Sequence, residues 1–461
     1  MKFHLKNLGL IDDATIDLAD LTIICGENNT GKTYVTYALY GFFRSWRRIL
    51  FEEIQGKIES SLKDSSSSQI DLGVLFSGQI NKHFERIAKR YVKWLPRVFA
   101  SSPEHFAHAE FKVSVRSEID FLNTDYYRSI KDVTGTKTLA TLKKVKGTSI
   151  LEILLADQSL GLDRYGLVDF ISDAIADIVF VPYLGDVFIA SAERTGAAIF
   201  RKELDFARTR LIEAIGRQDG KDLRNPFRLL EQMEAGYAWP VQDNVDFVRQ
   251  IEDIDKQVSP LIEAHPTILN VFETVIGGSY KVVKGKGLYY QPKGSGKPRL
   301  SMSESSSSVR ALLDIGFYLR CRAKAGDLLI IDEPELNLHP VNQRAFARLI
   351  TCLVNCGIRV FMTTHSDYII KELNTLIMLN AKNAHTVPIQ QNYGYTDEEL
   401  IDPGKVKLFM TCKDGKSKRT QTNGLKEAKI FPEQGIEVET FDTTIETMNS
   451  IQTEILFGGE L

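Results

Sequence analysis

Residues 26–33 read GENNTGKT, between the apolar run LTIIC and the segment YVTYALYGFF. Few stretches of this length restrict a fold as much, because G-x-x-x-x-G-K-[ST] between a strand and a helix is the phosphate-binding loop. Glycine tolerates positive φ at little cost, so Gly26 and Gly31 let the backbone curl tightly around an anion. Backbone N–H groups across Asn28, Asn29, Thr30 and Gly31 then point inward, helped by the dipole of the following helix. Lys32 is placed to reach the β- and γ-phosphates of a nucleotide, and the Thr33 hydroxyl to ligate Mg²⁺. A chance turn of Gly, Asn and Thr would not need this flanking strand and helix.

The rest of the chain must accommodate that loop. At 461 residues it is long enough for a large core and more than one domain or subdomain. A hydrophobic share of 43% and a charged share of 25% are those of an ordinary globular protein. A net charge of −3 argues against wrapping nucleic acid over the whole surface, though not against a local basic patch. Cys25, Cys321, Cys352, Cys356 and Cys412 form no C-x-x-C pair and suit free thiols in a reducing compartment. The N-terminus shows no leader pattern, and no apolar run approaches the roughly 18–20 residues that span a bilayer. A cytoplasmic chain without a membrane domain is therefore expected.

KFHLKNL and ATIDL alternate as strands, and LTIIC is a buried run leading to the loop. From about Arg44 to Ile175, segments such as FERIAKRYVKWLPRVFA look like amphipathic helices, with KDSSSSQ as a loop. RKELDFARTRLIEAIGRQ and DNVDFVRQIEDIDKQV carry helical spacing again, interrupted at Asn225-Pro226, Trp239-Pro240 and Ser259-Pro260. KVVKGKGLYYQPKGSGKPRL reads as a basic β-hairpin. These shifts divide the chain into core at 1–45, a helical insertion at 46–175 and a core strand region at 176–200. A second helical insertion at 201–277, further core at 278–385 and a C-terminal segment at 386–461 complete it.

Two further stretches carry chemistry. DLLIIDEPELNLHP, residues 327–340, is an apolar strand ending in two carboxylates, where ligands bind in open α/β sheets. Asp332 suits Mg²⁺ coordination, and Glu333 suits polarising an attacking water. RVFM then runs into Thr-Thr-His, so His365 stands at another strand end, suited to sensing a γ-phosphate or holding the water.

In this order the three motifs resemble the ABC-type ATPase superfamily, and within it the RecF, SMC and OLD-like branch. The resemblance implies an α/β fold, an ABC-type P-loop NTPase head with an N-terminal β-subdomain, here carrying two largely helical insertions. It also implies ATP and Mg²⁺ as ligands, with two heads closing on two nucleotides in a homodimer or larger homo-oligomer. Glu335 to His339 would contact the opposite protomer. The signature helix that completes the partner's site corresponds to SMSESSSSVRALLDIGFYLR, residues 301–320, with serines where glycines are usual. Ser303, Ser305 and Ser306 are its candidate phosphate donors, set against a plain helix N-cap.

SAERTG, residues 191–196, is similar to the strand-end A-E-R-x-G of OLD-like and Septu-type defence ATPases. The segment GIEVETFDTTIETMNSIQTEILF resembles the end of Septu-type and retron-associated ATPases, which work beside a separate effector nuclease of HNH or Toprim type. OLD-family nucleases carry a Toprim module with a metal-binding D-x-D after the ATPase; no D-x-D follows His365, so the resemblance implies no intrinsic nuclease, with nucleic acid reached through the partner. The alternatives are a RecF-like DNA-repair clamp, using its basic hairpin, and a nucleotide-held scaffold with slow turnover.

Overall fold

The computed structural model describes residues 1–62, 67–76, 78–116, 121–132, 134, 136–155, 164–199, 236–285, 287–294, 296, 298–414, 422–437 and 447–454. Strands β1 (Lys2–Leu8) and β2 (Ile11–Asp17) form an antiparallel hairpin, and β3 (Leu21–Cys25) is buried along its whole length. The 30-residue helix α1 (Lys32–Ser61) follows the phosphate loop without a break at Arg44, so the first insertion grows directly out of that helix.

The insertion is not helical alone. Beside the helices Ile80–Tyr91 and Arg164–Ile175 it carries β4 (Ser67–Asp71), β5 (Glu110–Ser114), β6 (Tyr126–Lys131), β7 (Thr138–Lys144) and β8 (Ile150–Leu155). Four of these form an antiparallel sheet in the order β4-β8-β7-β6, while β5 pairs with β1 at the edge of the main sheet. Aromatic and β-branched residues in YYRSIK, TLATLKK and ILEILL favour this pleated packing.

After β9 (Val187–Ala190), RKELDFARTRLIEAIGRQ lies outside the described residues. The second insertion then continues as helices Trp239–Ile254, Pro260–Ala264 and Thr267–Ile276. Pro240 and Pro260 stand in the first turns of their helices, where a missing N–H does no harm, and the Ser259 hydroxyl caps Ile262 N–H at 3.1 Å. The basic hairpin forms as β10 (Gly278–Val283) and β11 (Gly287–Pro292), joined by the short β12 (Leu300–Ser301).

The core sheet is completed by β13 (Leu328–Asp332), β14 (Arg359–Thr364), β15 (Val406–Asp414) and β16 (Thr422–Glu427). Its nine strands run β5-β1-β2-β16-β15-β3-β14-β13-β9, with β15, β3, β14, β13 and β9 mutually parallel. The region from 386 onward, set apart in the sequence, thus supplies two central strands that join the N-terminal hairpin to the parallel half. Ile24, Ile330 and Phe361 pack in one hydrophobic layer, and their neighbours Ile23, Ile331 and Met362 in the other. Covering both faces is what makes these strands read as unbroken apolar runs. This is an α/β architecture, with an N-terminal β-hairpin, a parallel core carrying the phosphate loop, and insertions between its strands. No helix among the described residues is long and apolar enough to cross a membrane.

Candidate functional site

The parallel strands deliver their motifs to one edge. Asp332 on β13 is level with Thr363 on β14, and Thr364 is level with Cys25 on β3. The phosphate loop, the acidic pair and His365 therefore emerge side by side at the strands' carboxyl ends, where open α/β sheets bind ligands. On the far side of β13, β9 ends beside Ile331 and turns into Ser191–Arg194.

The loop takes the conformation its glycines allow. φ is 145° at Gly26, 59° at Asn29 and 96° at Gly31, which precedes α1. A Cβ on Gly26 would stand 1.8 Å from Thr411 Oγ1 on β15, so that strand also demands a glycine here. Lys32 is buried, and its Nζ donates to the carbonyls of Gly26 at 3.0 Å and Glu27 at 2.7 Å. Burial pulls its pKa down, opposed by the negative charges of Glu333 and Asp332. Thr30 donates to the Glu27 carbonyl at 2.7 Å, while Asn28, Asn29 and Thr33 are exposed.

Asp332 is 1% exposed. Its Oδ1 accepts from Thr363 Oγ1 at 2.5 Å, and its buried Oδ2 has no hydrogen-bond partner among the described residues. Burial pushes the carboxyl up to about 6, against the Thr363 hydrogen bond. Glu333 adopts φ 52°, a left-handed conformation that typically costs a non-glycine residue about 1–3 kcal/mol. Its N–H donates to Thr363 Oγ1 at 3.1 Å, and its Oε1 lies 3.2 Å from His365 Nε2. The hydrogen bond with His365 holds the Glu333 carboxyl below its ordinary value. The geometry therefore couples the two residues expected to handle water.

Glu335 faces inward. Its carboxylate accepts from Thr364 Oγ1 at 2.9 Å and from His365 N at 2.5 Å, and burial raises its pKa. Asn337 and His339 are exposed beyond it, and the His339 imidazole caps the helix Pro340–Asn355.

The serine-rich segment lies apart from the phosphate loop in the chain and is tied to the acidic pair by one side chain. Arg194, 2% exposed, donates to the carbonyls of Ser191 at 2.9 Å, Asp332 at 2.7 Å, Glu333 at 2.9 Å and Ala311 at 2.7 Å. Ala311 ends the helix Ser307–Ala311, whose N-cap is Ser306. Ser306 therefore makes the capping contact, accepting from Val309 N at 3.4 Å. Ser305 is buried and donates to the Ser301 carbonyl at 2.8 Å, whereas Ser303 is exposed beside Ser301. Roles for Arg194, Thr363 and Glu193, which accepts from Tyr37 Oη at 2.8 Å, were not visible in the sequence.

The orphaned Oδ2 of Asp332 and the exposed Thr33 at the start of α1 make a donor set that fits Mg²⁺. That ion takes one or two protein oxygens and completes its shell with phosphates and water.

A family model described as "AAA ATPase domain" matches residues 1–157 and 222–370. Among solved structures, the SMC head domain from Thermotoga maritima is similar at 9% identity and TM-score 0.31, over 93% of this chain and 98% of that one. An SmcHead bound to the C-winged helix domain of ScpA gives 11%, 0.33, 96% and 98%. An Smc head domain with an extended coiled coil, bound to the C-terminal domain of ScpA derived from Pyrococcus furiosus, gives 11%, 0.31, 98% and 98%. No protein of curated function matches the chain.

Proposed function

The chain belongs to the AAA ATPase domain family, and from that membership we propose that it binds ATP with Mg²⁺ at the edge described above and hydrolyses it. The observation that carries this is the meeting of Lys32, the half-satisfied Asp332 and the Glu333–His365 pair at adjoining strand ends. Bound Mg²⁺ supplies charge neutralisation on the phosphates, held by Thr33 and Asp332. Lys32 binds the β- and γ-phosphates, and the N–H groups of the loop orient them. Glu333, kept ionised by His365, accepts a proton from the attacking water. His365 holds that water or senses the γ-phosphate.

The same reading extends to assembly. Two copies close over two nucleotides, Ser303 and Ser306 of one facing the phosphates of the other, with Glu335 to His339 beside them. Ser305 takes part only by releasing Ser301. The closed state regulates a separate effector nuclease of HNH or Toprim type in a bacterial antiphage system. The resemblance of SAERTG and of the C-terminal region to such ATPases supports this role. A DNA clamp is the second reading, favoured by exposed Lys281, Lys284, Lys293 and Arg299 on and beside the β10–β11 hairpin.

Lys32→Ala tests the site. Calorimetry should find ATP affinity reduced by about a hundredfold or more, because the main cationic contact to the phosphates is gone; unchanged affinity rejects the phosphate-loop assignment. Purified protein with Mg²⁺ or Mn²⁺ should hydrolyse ATP and leave plasmid DNA and RNA intact. Co-expression with an HNH or Toprim nuclease encoded beside this chain should give phage resistance that depends on Lys32. Salt-sensitive duplex binding lost on neutralising the four hairpin cations would favour the clamp instead.

A further inference from the structure

We propose that Arg194 is the positioning residue that holds Glu333 in its working conformation. This rests on the ATPase reading above. Glu333 is the residue of the acidic pair whose backbone is left-handed, and the peptide groups around it are tied on both sides. Its N–H is held by Thr363 on the neighbouring strand. Its carbonyl, and that of Asp332 before it, are held by the guanidinium of Arg194. With φ at 52° the carboxylate meets His365. A relaxed backbone at this residue would swing it elsewhere.

Several features separate Arg194 from an ordinary structural arginine. It is buried, yet among the described residues no carboxylate lies within ion-pair distance of it. Asp314, Asp332, Glu335 and Glu333 act on it through their field alone. Its hydrogen bonds all go to main-chain carbonyls, and they come from three places: its own turn, the acidic pair and the end of the helix Ser307–Ala311. A planar fork with five donors can span these acceptors at once; the point charge of a lysine cannot. The same residue is therefore the joint between the acidic pair and the serine-rich helix.

The test is a double-mutant cycle on the full chain. Arg194→Lys should lower kcat for ATP by about tenfold or more, as expected of a misdirected catalytic group, while KM stays within about threefold. In a Glu333→Gln background the same substitution should change the residual rate by less than about twofold, since the group it positions is already disabled. Arg194→Gln, which buries no charge and keeps an amide donor, is measured beside it in case the lysine unfolds the turn. A raised KM with unchanged kcat, or an equal loss of rate in both backgrounds, overturns the proposal. A wild-type chain that binds ATP without hydrolysing it overturns the ATPase reading and this role together. Normal behaviour of wild type and Glu333→Gln, with Arg194→Lys and Arg194→Gln both matching wild type, overturns the role of Arg194 alone.

Discussion

Asp332 is built to be uncomfortable until something positive arrives. In the folded chain its carboxyl titrates at about 6, against an ordinary value of 3.8, because burial disfavours the charge. Between those values the folded state keeps a proton that the unfolded chain has lost, so this group's contribution to stability falls as pH rises through that window. Asp332→Asn should accordingly stabilise the nucleotide-free protein by about 1–3 kcal/mol at pH 8 and by nothing measurable near pH 4. Thermal melts of both proteins across that range check it; a gain independent of pH would mean the buried charge is not its source. In the wild type, Mg²⁺-ATP affinity should weaken as pH falls through about 6, because the ligand must be ionised. Lys32, Asp332, Glu333 and His365 could be picked out from sequence because their chemistry demands particular side chains at strand ends. Arg194 stood out only as a letter of SAERTG, without a role, since its partners are main-chain carbonyls as far as 117, 138 and 139 positions away, and a carbonyl leaves no mark in a sequence.

At the scale of elements, the long helix α1 connects the nucleotide loop to the first insertion and carries a glycine where the two meet. A Cβ at Gly41 would lie 2.5 Å from Tyr91 Oη and 2.6 Å from Val98 Cγ2. Tyr91 is itself held there, donating to the Ala38 carbonyl at 2.7 Å. Alanine improves helix propensity by roughly 1 kcal/mol, but overpacking of this kind loses about 1–3 kcal/mol. Gly41→Ala should therefore be destabilising by about 1 kcal/mol on balance, seen as a lower denaturant midpoint with unchanged slope; a higher midpoint would show that α1 and its neighbours shift apart freely. LTIIC, LLIID and RVFMTT could be read as strands because both their faces are covered. VKLFMTCKD is equally central, but its apolar run is only Leu408–Met410, set between Lys407 and Thr411, and nothing local says which strand it will join. The four-stranded sheet of the insertion was hidden similarly, among segments short enough to pass for loops between helices.

For the whole molecule, Glu333→Gln should keep ATP and hydrolyse it slowly, since the amide preserves shape without basicity. With ATP and Mg²⁺ it should accumulate a species of at least twice the protomer mass in light scattering, absent with Lys32→Ala. A Glu333→Gln variant that turns over normally would assign the base elsewhere. Chain order has a further effect, on how the molecule comes into being. β3 ends at Cys25, but the strand that flanks it toward the N-terminal hairpin, β15, begins only at Val406. During synthesis the phosphate loop is made early, while one edge of its strand stays open until the chain has been made past Val406. Loop closure over that distance is slow, and an open apolar strand edge is an invitation to wrong partners. Nascent chains arrested before Val406 should stay protease-sensitive through β1–β3 and should not retain ATP. The nucleotide site would then become competent only after β15 has been made, which keeps chains that stop short of it from holding nucleotide.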